Sequence, residues 1–297
     1  MLKSDDLLLV SLLSKGGSIA AVAREMHLTP SAISQRLSLL EQRLQMNLAE
    51  RFGRSGVRLT AEGEFLAEKA ADVIGEIALI QDQLGERRGV LNGVIRITAP
   101  FGFGRRHVAP ALAEFHKLHS QISVNLKLSD DLSHPPPNAW DILIRVSPWV
   151  DSTLIATSLC DNRRLVCASP KYVAEHGAPS HPEELRGHAC ISISEDGAKG
   201  SFWQFQRKDG AQAMIKVAPR FTTNDGETAL EWAIAGCGII VRSQWSTAAA
   251  LEAGDLIELL PDWTAPDAPI VALTSVRNAG SLRIQTVLTH LLDSIEV

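Results

Sequence analysis

Apolar residues recur at helical spacing through most of the first ninety positions. In LTPSAISQRLSLLEQRL, Leu28 to Leu44, Ile33, Leu37, Leu40 and Leu44 form one stripe, the pattern of a helix with a single buried face. The opposite face carries Ser31, Ser34, Gln35 and Ser38 with no acid among them. A solvated helix face usually carries Glu and Lys, because they favour helix and pair at i,i+4, whereas Ser is a mediocre helix former. Two helices precede this one. The first runs from Asp5 to about Lys15 and stops at Gly16-Gly17, and Ser18 caps the second, IAAVAREM. Thr29 caps the third helix and Pro30 takes its first position, where a missing N–H costs nothing.

Two further patterns follow. In ERFGRSGVRLT, Gly53 and Gly56 permit a tight hairpin and place Arg51, Arg54 and Arg58 close together. Thr60 then caps a helix from Ala61 to about Arg88. Its Leu66, Ala70, Val73, Ile77, Ile80 and Leu84 step by four and three, a heptad seam on a rod of about 40 Å. From Asn92 the period changes. GVIRITAP, ISVNLKL, DILIRVS and RRLVCAS read as strands, and they alternate with helical patterns such as RRHVAPALAEFHKLH, so the remainder is an α/β sheet domain.

Composition alters this picture only where it is uneven. The 297 residues, 45% hydrophobic and 21% charged, describe a soluble globular chain of two or three domains. A net charge of −5 argues against a general nucleic-acid binder. Residues 1–60, however, carry eight Lys or Arg against five Asp or Glu, and residues 61–88 carry three against seven, a basic head on an acidic neck. A helix-turn-helix places the N-terminal end of its second helix in the major groove. Thr29, Pro30, Ser31, Ala32, Ser34 and Gln35 are therefore the candidates for base edges and nearby phosphates. Gln pairs bidentately with adenine and Ser with either bases or phosphate. Arg51, Arg54 and Arg58 on the hairpin, or wing, would add phosphate or minor-groove contacts.

Other chemistry is hard to find. Cys160, Cys167, Cys190 and Cys237 contain no C-x-x-C pair and read as reduced, mostly buried thiols. His176, His181, His188 and Cys190 match no zinc spacing, so no metal is expected. APFGFG lacks the third glycine of a dinucleotide fingerprint, and neither G-x-S-x-G nor a Walker sequence occurs, so neither a cofactor nor catalysis is expected. No long apolar run or signal-like N-terminus appears, which places the chain in the cytoplasm and away from membranes. An enzyme or solute-binding protein with an added helical N-terminus is the competing class. The Ser/Gln face, the wing arginines and the heptad neck favour a DNA-binding switch over it.

Taken together, SIAAVAREMHLTPSAISQRLSLLEQRL and AERFGRSGVRLTAEGEFL resemble the DNA-binding domain and linker helix of LysR-type transcriptional regulators. GVIRITAP, LVCASPKYVAEHGAPSHPEELRGHACI, FTTNDGETALEWAIAGCGIIVRSQW and LEAGDLIELLPDW resemble successive parts of that family's effector domain, so the likeness spans nearly the whole chain. Three departures mark it: Gln35-Arg36 stands where the family more often has Arg then a polar residue, Ala49 replaces a frequent aromatic, and the wing is one residue longer.

The resemblance implies a fold that is α/β overall: an all-α winged helix-turn-helix at 1–60, a dimerisation helix at 61–88, and a periplasmic-binding-protein-like effector domain at 89–297. Subdomain I would comprise 92–161 and 268–297, and subdomain II 162–267, with a small-molecule effector between them. It implies a homodimer or homotetramer, double-stranded operator DNA and RNA polymerase as partners. Ligands of open α/β sheets bind beyond the carboxyl ends of strands. The cleft candidates are therefore Pro100, Phe101 and Phe103, then Ser129 and Asp130, then Arg145, with Thr222, Thr223 and Asn224 at the returning crossover. APFGFG, Ala99 to Gly104, reads as a seat for an anion ahead of a helix N-terminus and, compatibly, as a tight turn that needs Gly102 and Gly104. Arg145 reads equally as a carboxylate binder or as an internal partner of Asp141 or Asp130. Trp203, Trp232, Trp245 and Trp263 read as core or interface residues. Phe101, Phe103 and Arg145 together fit a small organic anion, aromatic or dicarboxylic.

Overall fold

The computed structural model describes residues 2–14, 18–52, 56–86, 91–129, 140–146, 153–193, 202–276 and 278–295. The chain divides into two compact units, Met1–Arg88 and Gly89–Val297.

The first unit is built on helices α1 (Ser4–Ser14), α2 (Ile19–Glu25) and α3 (Pro30–Leu44), the hairpin strands β1 (Ala49–Phe52) and β2 (Gly56–Leu59), and helix α4 (Ala61–Glu86). Ser18 Oγ accepts from the Ala21 amide, and Thr29 Oγ1 accepts from the Ala32 amide at 3.2 Å with Pro30 at the first position. Both caps match their sequence signals. Ile33, Leu37 and Leu40 are buried with Leu9, Val10, Leu13, Val22 and Leu48 in one core, and Leu44 packs half-buried at its edge. Gly63 meets the Leu48 carbonyl so closely that an added Cβ would lie 2.0 Å from its oxygen, so only glycine lets α4 start there. Asp6 is 2% exposed beside Arg43, at 3.1 Å, and Arg36, at 3.8 Å. Burial alone would raise its pKa, but the Lys3 amide, Arg43 and Arg36 outweigh that and hold the carboxyl below its ordinary range. This stitch fastens the start of α1 to α3.

The second unit holds a five-stranded sheet in the order β4 (Ile122–Leu128), β3 (Gly93–Ala99), β5 (Ile142–Val146), β15 (Ile270–Ser275), β6 (Leu154–Cys160). β3 runs parallel to β4 and β5, and β15 antiparallel to β5 and β6. The helical run of α5 (Phe101–Phe103), a π-helical segment Gly104–Val108 and α6 (Ala109–Leu118) shares this lobe's core with α10 (Leu282–Ser294).

A second lobe is built around the antiparallel trio β12 (Ile240–Ser243), β7 (Arg164–Ala168) and β13 (Ile257–Leu259). The parallel pair β8 (Cys190–Ile193) and β11 (Pro219–Thr223) joins it, with the trio β10 (Gln212–Lys216), β9 (Phe202–Arg207) and β14 (Trp263–Thr264). Helices α7 (Pro170–His176), α8 (Gly226–Ile234) and α9 (Gln244–Glu252) complete it. The chain passes between lobes near Asn162 and Ala268. Asn162 is buried, its Nδ2 donates to Ser243 Oγ at 3.0 Å and to the Ala268 carbonyl at 2.9 Å, and the Ala268 amide donates back to its carbonyl. One side chain thus ties both crossovers together.

Two expectations need correcting. Gly102 and Gly104 lie in helical backbone instead of a tight turn, and they serve close packing: a Cβ would fall 2.8 Å from Glu227 Oε1 at the first and 2.3 Å from Leu128 Cδ2 at the second. Thr222 and Thr223 lie on β11 inside the second lobe, paired with Ser192 and Ile193, because the chain returns to the first lobe only near Ala268. The break at Gly16-Gly17 and the hairpin tip at Gly53 lie outside the described residues.

Candidate functional site

Two sites were expected, and each is assembled by its own unit. On α3, Thr29, Pro30, Ser31 and Gln35 are exposed and Ala32 and Ser34 half-buried, while Ser38 continues the same face in the open. The spacing that buried Ile33 and Leu37 therefore turns Ser34 outward beside Ser31. Thr29 Oγ1 and Ser31 Oγ lie 3.0 Å apart, so the cap also orients the first hydroxyl of the face. Glu41 Oε1 accepts from the Leu48 and Ala49 amides at 2.8 and 3.1 Å, which sets where the hairpin leaves α3. Arg58 is exposed on β2, opposite Glu50 in the register. Arg51 pairs with Val57 in the hairpin backbone; its side chain, and all of Arg54, lie outside the described residues. Arg36 and Arg43, counted above in the basic head, are engaged by Asp5 and Asp6.

The apolar seam of α4 divides in two. Ala70 is buried and Leu66 half-buried against the unit's own core, whereas Val73, Ile77, Ile80 and Leu84 are 40–55% exposed. Four exposed aliphatic side chains in one stripe cost solvation that a second helix would recover.

The second unit contains a cavity of about 210 Å³ between its lobes, below the ~300–1,000 Å³ of sites for drug-sized ligands. Pro100, Phe101, Phe103, Ser129 and Arg145 line it from the first lobe and Asn224 from the second, so six of the nine expected residues meet there. Thr222 and Thr223 do not line it, and Asp130 lies outside the described residues. The wall also includes Arg164, Arg242, Ser243, Trp203 and Trp245. Arg145 and Arg242 are 9% and 8% exposed. Three arginines thus line one small space, and no Asp or Glu is among the described lining residues.

Two of these arginines have describable surroundings. Arg145 projects from a strand flanked by β3 and β15. Of the two partners weighed for it, Asp141 is taken up by Arg96, whose amide donates at 2.8 Å and whose Nη2 lies 3.2 Å away. Arg242 packs against the first turn of α8, where a Cβ on Gly226 would lie 1.9 Å from its Nη2, and over the Trp245 ring at 5.7 Å. Phe103, His107 and Trp245 form an aromatic corner with centroids 4.9–5.5 Å apart. Burial, reinforced by Arg106, pushes His107 below the usual imidazole range. Among the described residues the buried Trp245 indole nitrogen has no hydrogen-bond partner, leaving a donor on a residue of the cavity wall.

Remaining candidates have ordinary placements. His176 meets the Tyr172 carbonyl, His181 caps the Glu183 amide, and His188 meets the Tyr172 hydroxyl. Burial pushes the thiols of Cys160 up to about 11 and of Cys167 and Cys190 up to about 12, which makes these three poor nucleophiles. Trp263 is buried in the second lobe and Trp232 packs on Phe221.

Comparison with known proteins agrees with this architecture. The family model described as the LysR substrate binding domain matches residues 88–296, and the bacterial regulatory helix-turn-helix of the lysR family matches residues 5–64. The HTH-type transcriptional regulator DmlR of Escherichia coli K12 is 35% identical over 95% of this chain and 91% of its own length. The transcriptional activator TtdR of the same strain is 31% identical over 83% and 79%. The full-length structure of the Vibrio cholerae virulence activator AphB superposes with a TM-score of 0.66 at 25% identity, covering 98% of this chain and 99% of that one.

Proposed function

Because the chain belongs to the LysR family of DNA-binding transcriptional regulators, we propose that it holds operator DNA as a dimer or tetramer and senses a small organic anion in the interlobe cavity. The cavity wall carries the effector half of this reading: three arginines, no described acid, and an aromatic corner. A carboxylate entering it would gain charge-assisted hydrogen bonds in a site partly withdrawn from water. The space suits a compact molecule, and arginines on both walls suit one that carries a carboxylate.

In this reading residues 1–60 form the reading head, 61–88 the neck and 89–297 the sensor, with subdomains at 92–161 plus 268–297 and at 162–267. Thr29, Pro30, Ser31, Ala32, Ser34 and Gln35 face the major groove, and Arg51, Arg54 and Arg58 hold the backbone beside it. The exposed half of the α4 seam pairs with its equivalent in a second chain, supplying two heads for a two-part operator. Effector binding favours one lobe geometry, and that preference is read out at the operator and by RNA polymerase in the cytoplasm. The chain acts by binding and performs no catalysis. No described helix is long and apolar enough to cross a membrane.

Two measurements test it. Operator affinity should fall steeply with salt, because phosphate contacts release counterions; a log–log slope near zero removes the DNA reading. Small carboxylates should raise the thermal midpoint of the wild type and lose that effect in Arg145→Ala. A retained response in that variant removes the anion reading.

A further inference from the structure

Glu227 opens α8, with its amide capped by Asp225 Oδ1 at 3.1 Å. Its carboxylate reaches across the cleft. Oε2 accepts from Arg106 Nη2 of the first lobe at 2.9 Å, and Arg106 also donates to the Ser246 carbonyl of the second at 3.3 Å. Oε1 accepts from Ser246 Oγ at 3.4 Å and lies 3.6 Å from Nη2 of Arg242, the buried cation on the cavity wall. Gly102 lets this happen, since any larger residue would place its Cβ 2.8 Å from the same oxygen. One carboxylate is therefore shared between a cation of each lobe, and the second of those cations faces the effector cavity. The long contact to Arg242 beside the short one to Arg106 leaves the Arg242 interaction the weaker half, the half a soluble anion can take over.

Resting on the reading of the cavity as an anion site, we propose that Glu227 is a resident carboxylate that competes with the effector for Arg242 and latches the lobes through Arg106. Effector binding exchanges an internal anion for an external one. The exchange loosens a tie across the cleft, so ligand chemistry is converted into lobe geometry at that residue. Glu227 also sets selectivity. A weakly charged or purely aromatic ligand cannot replace a carboxylate on Arg242, and it leaves the latch in place.

The test uses the full chain and sulfate as probe, titrated by calorimetry at constant ionic strength. Removing a negative charge about 5 Å from a bound anion should tighten binding about tenfold in Glu227→Gln. Arg106→Met should weaken it, because Glu227 then turns wholly to Arg242. In the double variant the Arg106→Met effect should largely vanish, since its route runs through Glu227. A disturbance of folding alone would weaken binding in both single variants. Unchanged or weaker binding in Glu227→Gln overturns the latch, as does an Arg106→Met effect of equal size in both backgrounds. Arg145→Met separates the two levels of the argument. If it abolishes the wild-type response while Glu227→Gln changes nothing, the cavity reading survives and the latch fails. If wild-type binding is absent, or persists undiminished in Arg145→Met, the cavity reading fails and takes the latch with it.

Discussion

A methyl group at position 226 would fall on the Arg242 guanidinium, 1.9 Å from Nη2, so that end of the side chain would have to leave its place on the cavity wall. Gly226→Ala should therefore leave the fold standing and weaken binding of a small dicarboxylate about tenfold or more, the worth of one charge-assisted hydrogen bond. Calorimetric titration checks it, and unaltered affinity would take Arg242 out of the ligand's reach. The sequence made part of this visible. Arg145 is an arginine inside an apolar strand, and GIIVRSQW carries the same signal at Arg242. Arg164 begins a strand, which is an ordinary place for a charge, and nothing local distinguishes it. Glu227 is hidden more deeply, because an acid in the first turn of a helix needs no partner to explain it, while Arg106 lies 121 residues earlier in the chain. On α3 the reverse holds: an acid-free Ser/Gln face was anomalous in itself. Gln35→Ala should cost about 1–3 kcal/mol of discrimination at one operator base pair. Equal losses on all sequences, measured by competition binding, would reduce Gln35 to a backbone contact.

Elements were legible wherever period and cap agreed. Ser18 and Thr29 cap as their sequence positions require, and Ile33, Leu37 and Leu40 are buried as their spacing requires. The α4 seam was legible as a seam, but its division was not. Periodicity records that Leu66 through Leu84 share a face, and only packing shows that Leu66 and Ala70 are covered by their own unit while Val73, Ile77, Ile80 and Leu84 stay open. The division locates the prediction. Ile80→Asp lies on the open half, so the monomer fold should survive, as surface substitutions usually cost no more than about 0.5 kcal/mol, while self-association should be lost. Sedimentation velocity should show the change as a shift toward monomer, with operator affinity falling alongside. An unchanged oligomer would place the interface elsewhere. The glycines of APFGFG show the opposite limit: sequence marks a demand for small residues without saying whether a turn or a close contact imposes it.

At the scale of the whole molecule, the two units keep separate cores, one drawn entirely from residues 9–67 and the others from residues 95–295. Each unit also carries its own titratable or ligand-linked control. In the first, Asp6 is held below the ordinary carboxyl value of 3.8, so the folded state binds its proton less readily than the unfolded state. The resulting stability is fully present near neutral pH and is lost as the pH falls through 3.8 toward the lowered native value. In the second, any anion bound only by the folded cavity adds RT ln(1 + [L]/Kd). Multi-domain chains need not unfold in one step, and scanning calorimetry should resolve two transitions that respond to different variables. A carboxylate at neutral pH should raise one midpoint and leave the other in place. Asp6→Asn should lower the other by about 1–3 kcal/mol of stability and flatten its dependence on pH below about 5, leaving the anion-linked transition where it was. A single transition moved equally by both treatments would mean that the reading head and the sensor unfold as one cooperative body. Effector occupancy would then act on DNA binding through global stability, and an exchange of anions on Arg242 would no longer be needed to explain a response at the operator.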